Sequence, residues 1–294
     1  MAGLRTPAAR LAIALIEATA RWQPRTRAAL ARAIGGLLWW LIVPRRRVTL
    51  ANLRLCFPAL TEAERRALGR RCFQHMARAL LDHGALARLP AAELHKLVRF
   101  DRLALLADTS VRPLIIVAPH FAGLNAGAVV GSTALSVISI YARTRNPVWD
   151  AWLLAIRNRF HPHRLVAREG FDLRAVVRGL KEGLPLFYLP DQDPGERNGI
   201  FVPFFGVPTA TLPMVSRLAR LTGARVVLLV AEMTDNGYEV HLEGPWADFP
   251  GASVEDDTAR INAEIERWAR RLPEQYFWTH KRFKTRPAGE RSPY

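Results

Sequence analysis

The sequence contains little cysteine, no clear metal-ligand pattern and no long apolar run, and each absence excludes a class of protein. Its two cysteines, Cys56 and Cys72, cannot form a disulfide framework or a four-thiolate metal site, and they suit a reducing compartment. No stretch approaches the roughly 18 apolar residues of a membrane-spanning helix, which excludes a polytopic membrane protein. His161 and His163 come nearest to a ligand pair, and we expect no metal site.

The sequence does contain enough apolar residues for a globular fold. Of its 294 residues, 50% are hydrophobic and 23% are charged. These proportions are typical of a protein with a sizeable core, and they exclude a disordered or fibrous chain. Because no internal repeat or long linker divides the chain, we expect one principal domain, residues 45–294, behind a short N-terminal segment, residues 1–44.

Positive charge is in excess and unevenly distributed. The formal net charge is +16, and residues 1–50 carry nine arginines against the single acid Glu17, for a net charge of +8. Such an excess is typical of proteins that bind nucleic acid, an acidic protein or an anionic lipid surface. Because no recognised nucleic-acid-binding motif accompanies the charge, we expect no nucleic-acid partner.

The N-terminal segment, residues 1–44, combines apolar runs with arginine. Its uncharged run 33–44 contains Trp39 and Trp40 and is followed by the arginines at 45–47. Tryptophan and arginine next to apolar runs favour a bilayer interface. A twelve-residue run rises only about 18 Å as a helix, short of the ~30 Å hydrocarbon core, so a monotopic anchor is favoured over a single span. A buried helix pair would leave the arginines unexplained, and a signal peptide would lack a cleavage site.

The predicted secondary structure of the rest of the chain changes near residue 90. Residues 45–90 are predicted to be helical, with a capping box at Thr61 and Glu64. Residues 91–294 alternate helical segments, near 147–159, 173–182 and 212–222, with short apolar strands. This pattern predicts an α/β fold with a mixed, largely parallel sheet flanked by helices, and Asn236-Gly237 predicts a hairpin with an antiparallel edge strand. The predicted strands are 114–117, 137–140, 186–189 and 226–230.

Candidate functional residues follow these strands, where open α/β sheets bind their ligands. His120 follows the first strand, and Asn125 lies about one helical turn later, which would allow its side chain to orient the imidazole. Each candidate also has a plain structural alternative, as a turn cap, a solvated charge or a core aromatic. The candidate catalytic residues are His120, Asn125, Asp191 and Asp193, and the candidate substrate-binding residues are Arg143, Arg145, Arg168, Phe201, Phe204 and Phe205.

Several blocks together carry a resemblance to a known family. They include Pro119-His120-Phe121, the Pro-Asp-Gln-Asp sequence at 190–193, and the long block 273–287; the blocks 45–58 and 201–206 also match. On these blocks the chain resembles the lipid A biosynthesis acyltransferases of Gram-negative bacteria, within the lysophospholipid-acyltransferase-like group. The likeness runs through most of the chain.

The resemblance implies a fatty acyl transfer from an acyl carrier protein thioester to a hydroxyl of a lipid A precursor, with His120 as general base. It also implies a protein on the cytoplasmic face of the bacterial inner membrane, attached monotopically or by a single span. No cofactor is expected, since acyl transfer needs none. The basic charge suits an acidic carrier protein, an anionic glycolipid acceptor and an anionic membrane surface.

One residue departs from the family pattern. Where the family has His-x4-acid, this chain has Asn125, which can accept a hydrogen bond but supplies no charge. Asp191 or Asp193 would then have to provide the charge. Two alternatives remain open: a catalytically impaired relative that binds lipid or carrier protein, and an acyltransferase for another glycolipid or lysolipid.

Overall fold

The computed structural model describes residues 2–167 and 172–294. Its N-terminal part is helical, as the sequence predicts. Pro24 occupies the first turn of α2, and the capping box of Thr61 and Glu64 begins α4. These helices are α1 (Ala2–Ala18), α2 (Pro24–Leu41), α3 (Val43–Cys56) and α4 (Glu62–Arg88).

A seven-stranded sheet follows in the described chain, with strand order β1-β9-β8-β2-β5-β3-β4. The five strands from β8 to β4 are parallel, whereas β9 and β1 run in the opposite direction. All four residues of β2 are buried, as expected for a central strand covered on both faces. The sheet strands are β1 (Val98–Phe100), β2 (Leu114–Val117), β3 (Ile138–Tyr141), β4 (Arg164–Ala167), β5 (Leu186–Tyr188), β8 (Arg225–Thr234) and β9 (Gly237–Glu243).

The remaining helices connect the strands or cover the sheet, and a separate hairpin stands outside it. The hairpin is β6 (Ile200–Phe204) with β7 (Val207–Thr211). The helices are α5 (Ala91–Leu97), α6 (Leu103–Ala107), α7 (Leu124–Gly131), α8 (Pro147–Arg157), α9 (Leu173–Lys181), α10 (Met214–Thr222) and α11 (Val254–Arg271), with a 3₁₀ turn at Thr109–Val111.

The predicted mixed, largely parallel α/β fold is confirmed, with two corrections at the antiparallel end. The hairpin turn consists of Asp235 and Asn236, one residue earlier than predicted, and Gly237 already pairs with Thr234. A Cβ at position 237 would lie 2.1 Å from the carbonyl oxygen of Leu97, so glycine is needed there for a close approach. A strand that runs opposite to the five parallel strands does form an edge, but it is β1; the hairpin strand β9 lies one position inside and pairs with it.

The N-terminal helices pack onto the rest of the molecule through α4. At this contact Arg27 donates from Nε to Oδ1 of Asp82 at 2.5 Å, and the hydroxyl of Tyr238 on β9 donates to Oδ2. Trp39 is buried against Phe73, with ring centroids 5.3 Å apart. Residues 1–44 therefore contribute buried side chains to the protein core.

The outer face of these helices is apolar. Trp40 and Leu41 are 65% and 66% exposed, and Leu11, Leu15 and Leu37 are exposed as well. Among the described helices, none is by itself long and apolar enough to cross a membrane; α2 and α3, which meet at a 94° bend, reach that length and composition only together.

Candidate active site

His120 lies just beyond β2, and strand register brings Asp191 to it. Strands β2 and β5 are parallel neighbours, with Val117 opposite Tyr188. His120 and Asp191 each follow three residues later, so they emerge side by side at the carboxyl edge of the sheet. Nδ1 of His120 lies 2.7 Å from Oδ1 of Asp191, and the backbone N–H of His120 donates to Oδ2 at 2.8 Å.

Asp191 is a buried carboxylate, with only 4% of its surface exposed. Burial by itself would raise its pKa, but the charge and the two hydrogen bonds of His120 outweigh that effect, so the pKa of Asp191 lies below its ordinary value. The group is therefore ionised at neutral pH. Because a carboxylate only accepts hydrogen bonds, the proton of the imidazole lies on Nδ1.

Gln192 occupies the other ring nitrogen of His120. Its side-chain Nε2 lies 3.1 Å from Nε2 of the imidazole. With the proton on Nδ1, the imidazole Nε2 carries a lone pair and accepts from the amide. Gln192 belongs to the Pro-Asp-Gln-Asp block, but it was not among the predicted site residues, since nothing in the block indicates which side chain faces His120.

The C-terminal block holds this loop in place. Phe277 donates its backbone N–H to the carbonyl of His120 at 3.0 Å. Its ring stacks on the imidazole, with ring centroids 5.8 Å apart. Nε2 of His280 accepts from the backbone N–H of Asp193 at 3.1 Å. Burial lowers the pKa of His280 to about 4, so its ring is neutral and can accept. Asn52 on α3 donates to the carbonyl of His280 at 2.8 Å, which ties the block to the N-terminal helices.

Asn125 and Asp193 lie near His120 without contacting its ring nitrogens. Asn125 is in the first turn of α7, and the described partners of the two nitrogens are Asp191 and Gln192. Asp193 accepts from the backbone N–H of Thr285 at 2.7 Å and from its hydroxyl at 2.8 Å. Of the two aspartates, the structure therefore brings Asp191 to the imidazole, and it uses Asp193 to hold the C-terminal block.

A cavity of about 590 Å³ opens beside His120. It lies between α7 and the sheet, a size and setting typical of a small-molecule site. His120, Asn125 and Gln192 line it together with many apolar side chains, including Ile116 and Phe187. Within the part of the chain that the structure describes, no group of three or more His, Cys, Asp or Glu side chains is placed to hold a metal ion.

The structure places the candidate substrate-binding residues in different parts of the molecule. Arg143 and Arg145 are exposed beyond β3, at the same edge of the sheet as His120. Phe204 and Phe205 are 1% and 8% exposed and belong to the core, where Phe205 packs on Trp278 with ring centroids 5.8 Å apart. They lie outside the lining of the described cavity, as does the partly exposed Phe201. Arg168 lies outside the described residues.

Comparison with known proteins now identifies the family. The family model for bacterial lipid A biosynthesis acyltransferases matches residues 5–285, nearly the whole chain. The chain belongs to the bacterial lipid A biosynthesis acyltransferase family. This confirms the resemblance that the sequence blocks indicated, and the protein is an O-acyltransferase whose family implies a lipid A-type acceptor.

Several curated relatives of this acyltransferase cover most of both chains. The lipid A biosynthesis lauroyltransferase of Escherichia coli (strain K12) is 30% identical over 266 residues, which are 89% of this chain and 86% of that protein. The lipid A biosynthesis myristoyltransferase of the same organism is 30% identical over 289 residues, or 97% and 89% of the two chains. A lipid A biosynthesis acyltransferase of Haemophilus influenzae is 30% identical over 270 residues, or 87% and 85%.

Proposed function

We propose that this acyltransferase moves a fatty acyl group from an acyl carrier protein thioester to a hydroxyl of a lipid A precursor, with His120 as general base. The observation that carries the proposal is the pairing of His120 with the buried carboxylate of Asp191 at the wall of a largely apolar cavity. A base needs a lone pair and an oriented ring, and a fatty acyl chain needs an apolar cavity. Both requirements are met at one place.

The proposed reaction moves one proton through Nε2 of His120. Nε2 takes the proton of the acceptor hydroxyl while that oxygen bonds to the thioester carbonyl carbon. The negative charge of Asp191, 2.7 Å from Nδ1, stabilises the imidazolium that forms. When the tetrahedral intermediate collapses, the carbon–sulfur bond breaks and Nε2 returns the proton to the leaving thiolate. The products are an ester and the thiol of the carrier protein.

Gln192 sets a condition on this mechanism. Its amide occupies Nε2 at 3.1 Å in the free enzyme, so an acceptor hydroxyl has to replace that hydrogen bond before proton transfer. We propose that Gln192 positions the imidazole in the resting state, and that the acceptor hydroxyl replaces its hydrogen bond to Nε2 when the acceptor binds.

The proposed donor and acceptor sites extend from this centre. The cavity beside His120 would hold the donor's acyl chain. Arg143 and Arg145, exposed at the same edge of the sheet, would contact phosphate groups of the acceptor or of the pantetheine arm, and Arg168 keeps its sequence-based assignment to the same role. The exposed apolar face with Leu37 and Trp40 would rest on an anionic membrane surface, which supports the proposed place at the inner membrane.

The experiment that tests the proposal compares wild type with His120→Ala. Transfer from a carrier-protein thioester to a lipid A precursor is measured by mass spectrometry of the lipid. We expect the variant to lose at least about 10²-fold in kcat, since positioned acid-base groups contribute ~10²–10⁴. Its folding, measured by thermal unfolding, should stay near that of wild type. A folded variant with activity within a few-fold of wild type would refute His120 as the base. Parallel assays with lysolipid acceptors would show whether another lipid is preferred.

A further inference from the structure

The cavity runs from one edge of the sheet to the other. Helix α7 begins beside His120 at the carboxyl edge of β2 and returns toward the amino edge, where β3 begins. Residues at both ends of β3 line the cavity, from Val137 to Ala142. At about 3.3 Å per residue the wall along β3 measures roughly 16 Å. The cavity therefore extends from His120 to the amino edge, and we call its end at His120 the mouth and its end at the amino edge the floor.

The floor is more polar than the wall. Lining residues at the amino edge include Ser132 after α7, Arg157 at the end of α8 and His163 before β4. Ser132 donates its hydroxyl proton to the carbonyl of Val129 at 2.6 Å, and Nδ1 of His163 accepts from the N–H of Val137 at 3.2 Å. Both side chains are thus hydrogen-bonded to the backbone around the floor.

Arg157 differs from its neighbours at the floor. Its guanidinium makes no hydrogen bond and no ion pair with any residue that the structure describes, although it is only partly exposed. Burial lowers the pKa of Arg157, and the charge of Asp150 opposes this effect only in part. An arginine remains charged at neutral pH even so. The floor thus contains a cation whose hydration depends on space left in the cavity.

We propose that Arg157 sets the longest acyl chain that the cavity accepts, by keeping the floor hydrated. This inference rests on the proposed function, since it assigns the cavity to the donor chain. A methyl end that reached the floor would strip water from the guanidinium without replacing its hydrogen bonds, which is unfavourable. A shorter chain fills the apolar wall and leaves that water in place. Chain-length selectivity then comes from the charge at the floor as well as from the length of the wall.

The decisive variant is Arg157→Met, which keeps an unbranched side chain and removes the charge. Binding of saturated fatty acids from octanoate to stearate is measured by displacement of a fluorescent fatty acid, and turnover with the matching carrier-protein thioesters is measured beside it. We expect the variant to bind the longest acids about tenfold more tightly, the change expected when about two further methylene groups are buried. Its affinity for the chain length that wild type prefers should change less than about twofold.

Three further variants control this result. Arg157→Lys keeps a cation and should keep the wild-type length preference. Arg157→Gln removes the charge with a smaller change of side-chain shape than Arg157→Met, and it should shift the length preference in the same direction. Arg174→Met replaces an exposed arginine of α9 outside the cavity lining and should change neither profile. An unchanged length preference in folded Arg157→Met and Arg157→Gln would overturn the proposal, as would the same shift in Arg157→Lys.

One more variant separates this inference from the proposed function. Ala128 lies in the cavity wall between mouth and floor, so Ala128→Leu should weaken the binding of all but the shortest acids by about tenfold or more. If Ala128→Leu has this effect while the Arg157 variants do not, the role of Arg157 is wrong and the cavity still holds the chain. If wild type binds the acids but transfers none of them, the proposed function fails, and the shift in affinity still decides the role of Arg157.

Discussion

His120 and Asp191 are 71 residues apart in the chain, yet two hydrogen bonds join them. Asp191 offers one oxygen to the ring and one to the backbone N–H of the same residue, which fixes both the position and the tautomer of the imidazole. In the proposed reaction Asp191 is a positioning residue, because it acts through His120. In that reaction, a chain with an amide at position 125 would still have an oriented, charge-stabilised base.

At the residue scale we predict that Asp191→Asn lowers kcat by about 10²–10⁴, since an amide supplies no charge for the imidazolium. The measurement is steady-state transfer to a lipid A precursor, with Asp193→Asn as the matched control in the same loop. Asp193 bonds to Thr285 and not to the imidazole. Its variant should therefore be less stable than wild type, with a smaller loss of kcat than Asp191→Asn shows. Equal kcat values for Asp191→Asn and wild type would remove Asp191 from the mechanism.

The companion prediction concerns Asn125. We expect Asn125→Glu and Asn125→Asp to leave kcat unchanged or to lower it, because the site already holds the carboxylate of Asp191 and a second charge would repel the first. The same transfer assay measures this effect. A rise in kcat of about tenfold or more would instead show that the amide weakens this enzyme, and that Asp191 does not replace the acid of the family pattern.

At the scale of elements, α2 and α3 present an apolar face beside arginine. Arg46 places its guanidinium over the rings of Trp39 and Trp40, 5.8 and 5.4 Å from their centroids. Trp39 is nevertheless buried, whereas Trp40 is 65% exposed. Of the tryptophan pair in the sequence, one member therefore stabilises the fold and the other is available to a membrane surface.

We predict that replacing Leu37, Trp40 and Leu41 together by Ser lowers binding to vesicles containing anionic phospholipid by at least about tenfold, because each apolar side chain contributes roughly 1.5–3 kcal/mol when buried. Co-sedimentation at moderate salt measures the effect. Leu221→Ser, at a leucine on α10 that is 59% exposed, serves as the control and should bind like wild type. Wild-type sedimentation of the triple variant would refute the anchor.

In the whole molecule, residues 1–44 contribute buried side chains to the core. The side chains of Arg27 and Asp82 are each about 98–99% buried, and Tyr238 on the sheet bonds to the same carboxylate. Deleting residues 1–44 would leave Asp82 buried without Arg27 as its partner. Point substitutions on the exposed face, and not deletion, are therefore the cleaner test of membrane attachment.

We predict that Arg27→Met lowers the free energy of unfolding by about 2–3 kcal/mol, because the buried carboxylate of Asp82 loses its hydrogen-bonded cation and keeps only the longer 3.4 Å pair with Arg78. Urea unfolding measures this change. Arg88→Met removes the exposed ion pair with Glu17, which joins α4 to α1, and should cost at most about 1 kcal/mol. Equal losses for the two variants would show that the buried pair does not join the N-terminal helices to the sheet.

Most helices, the central strands and the family could be predicted from the sequence. Buried β-branched runs and the capping box of Thr61 depend on neighbours a few residues away, so periodicity locates them. The placement of candidate residues after strands also followed from the sequence, since parallel strands share an edge. Four strands escaped prediction, because none of them is an uninterrupted apolar run: β1 and β4 contain Arg99 and Arg164, and β6 and β7 contain Pro203 and Pro208.

Which side chains meet at the site depends on the packing of strands and helices. The order β2-β5-β3 inserts a later strand beside β2, and this pairing brings Asp191 to His120, whereas Asn125 lines the cavity from the first turn of α7. The burial of Phe204 in the core and the position of the partly exposed Arg157 at the cavity floor likewise depend on packing between segments distant in sequence. Such contacts leave no local period, because they are fixed by strand order and by the helices that cover each face.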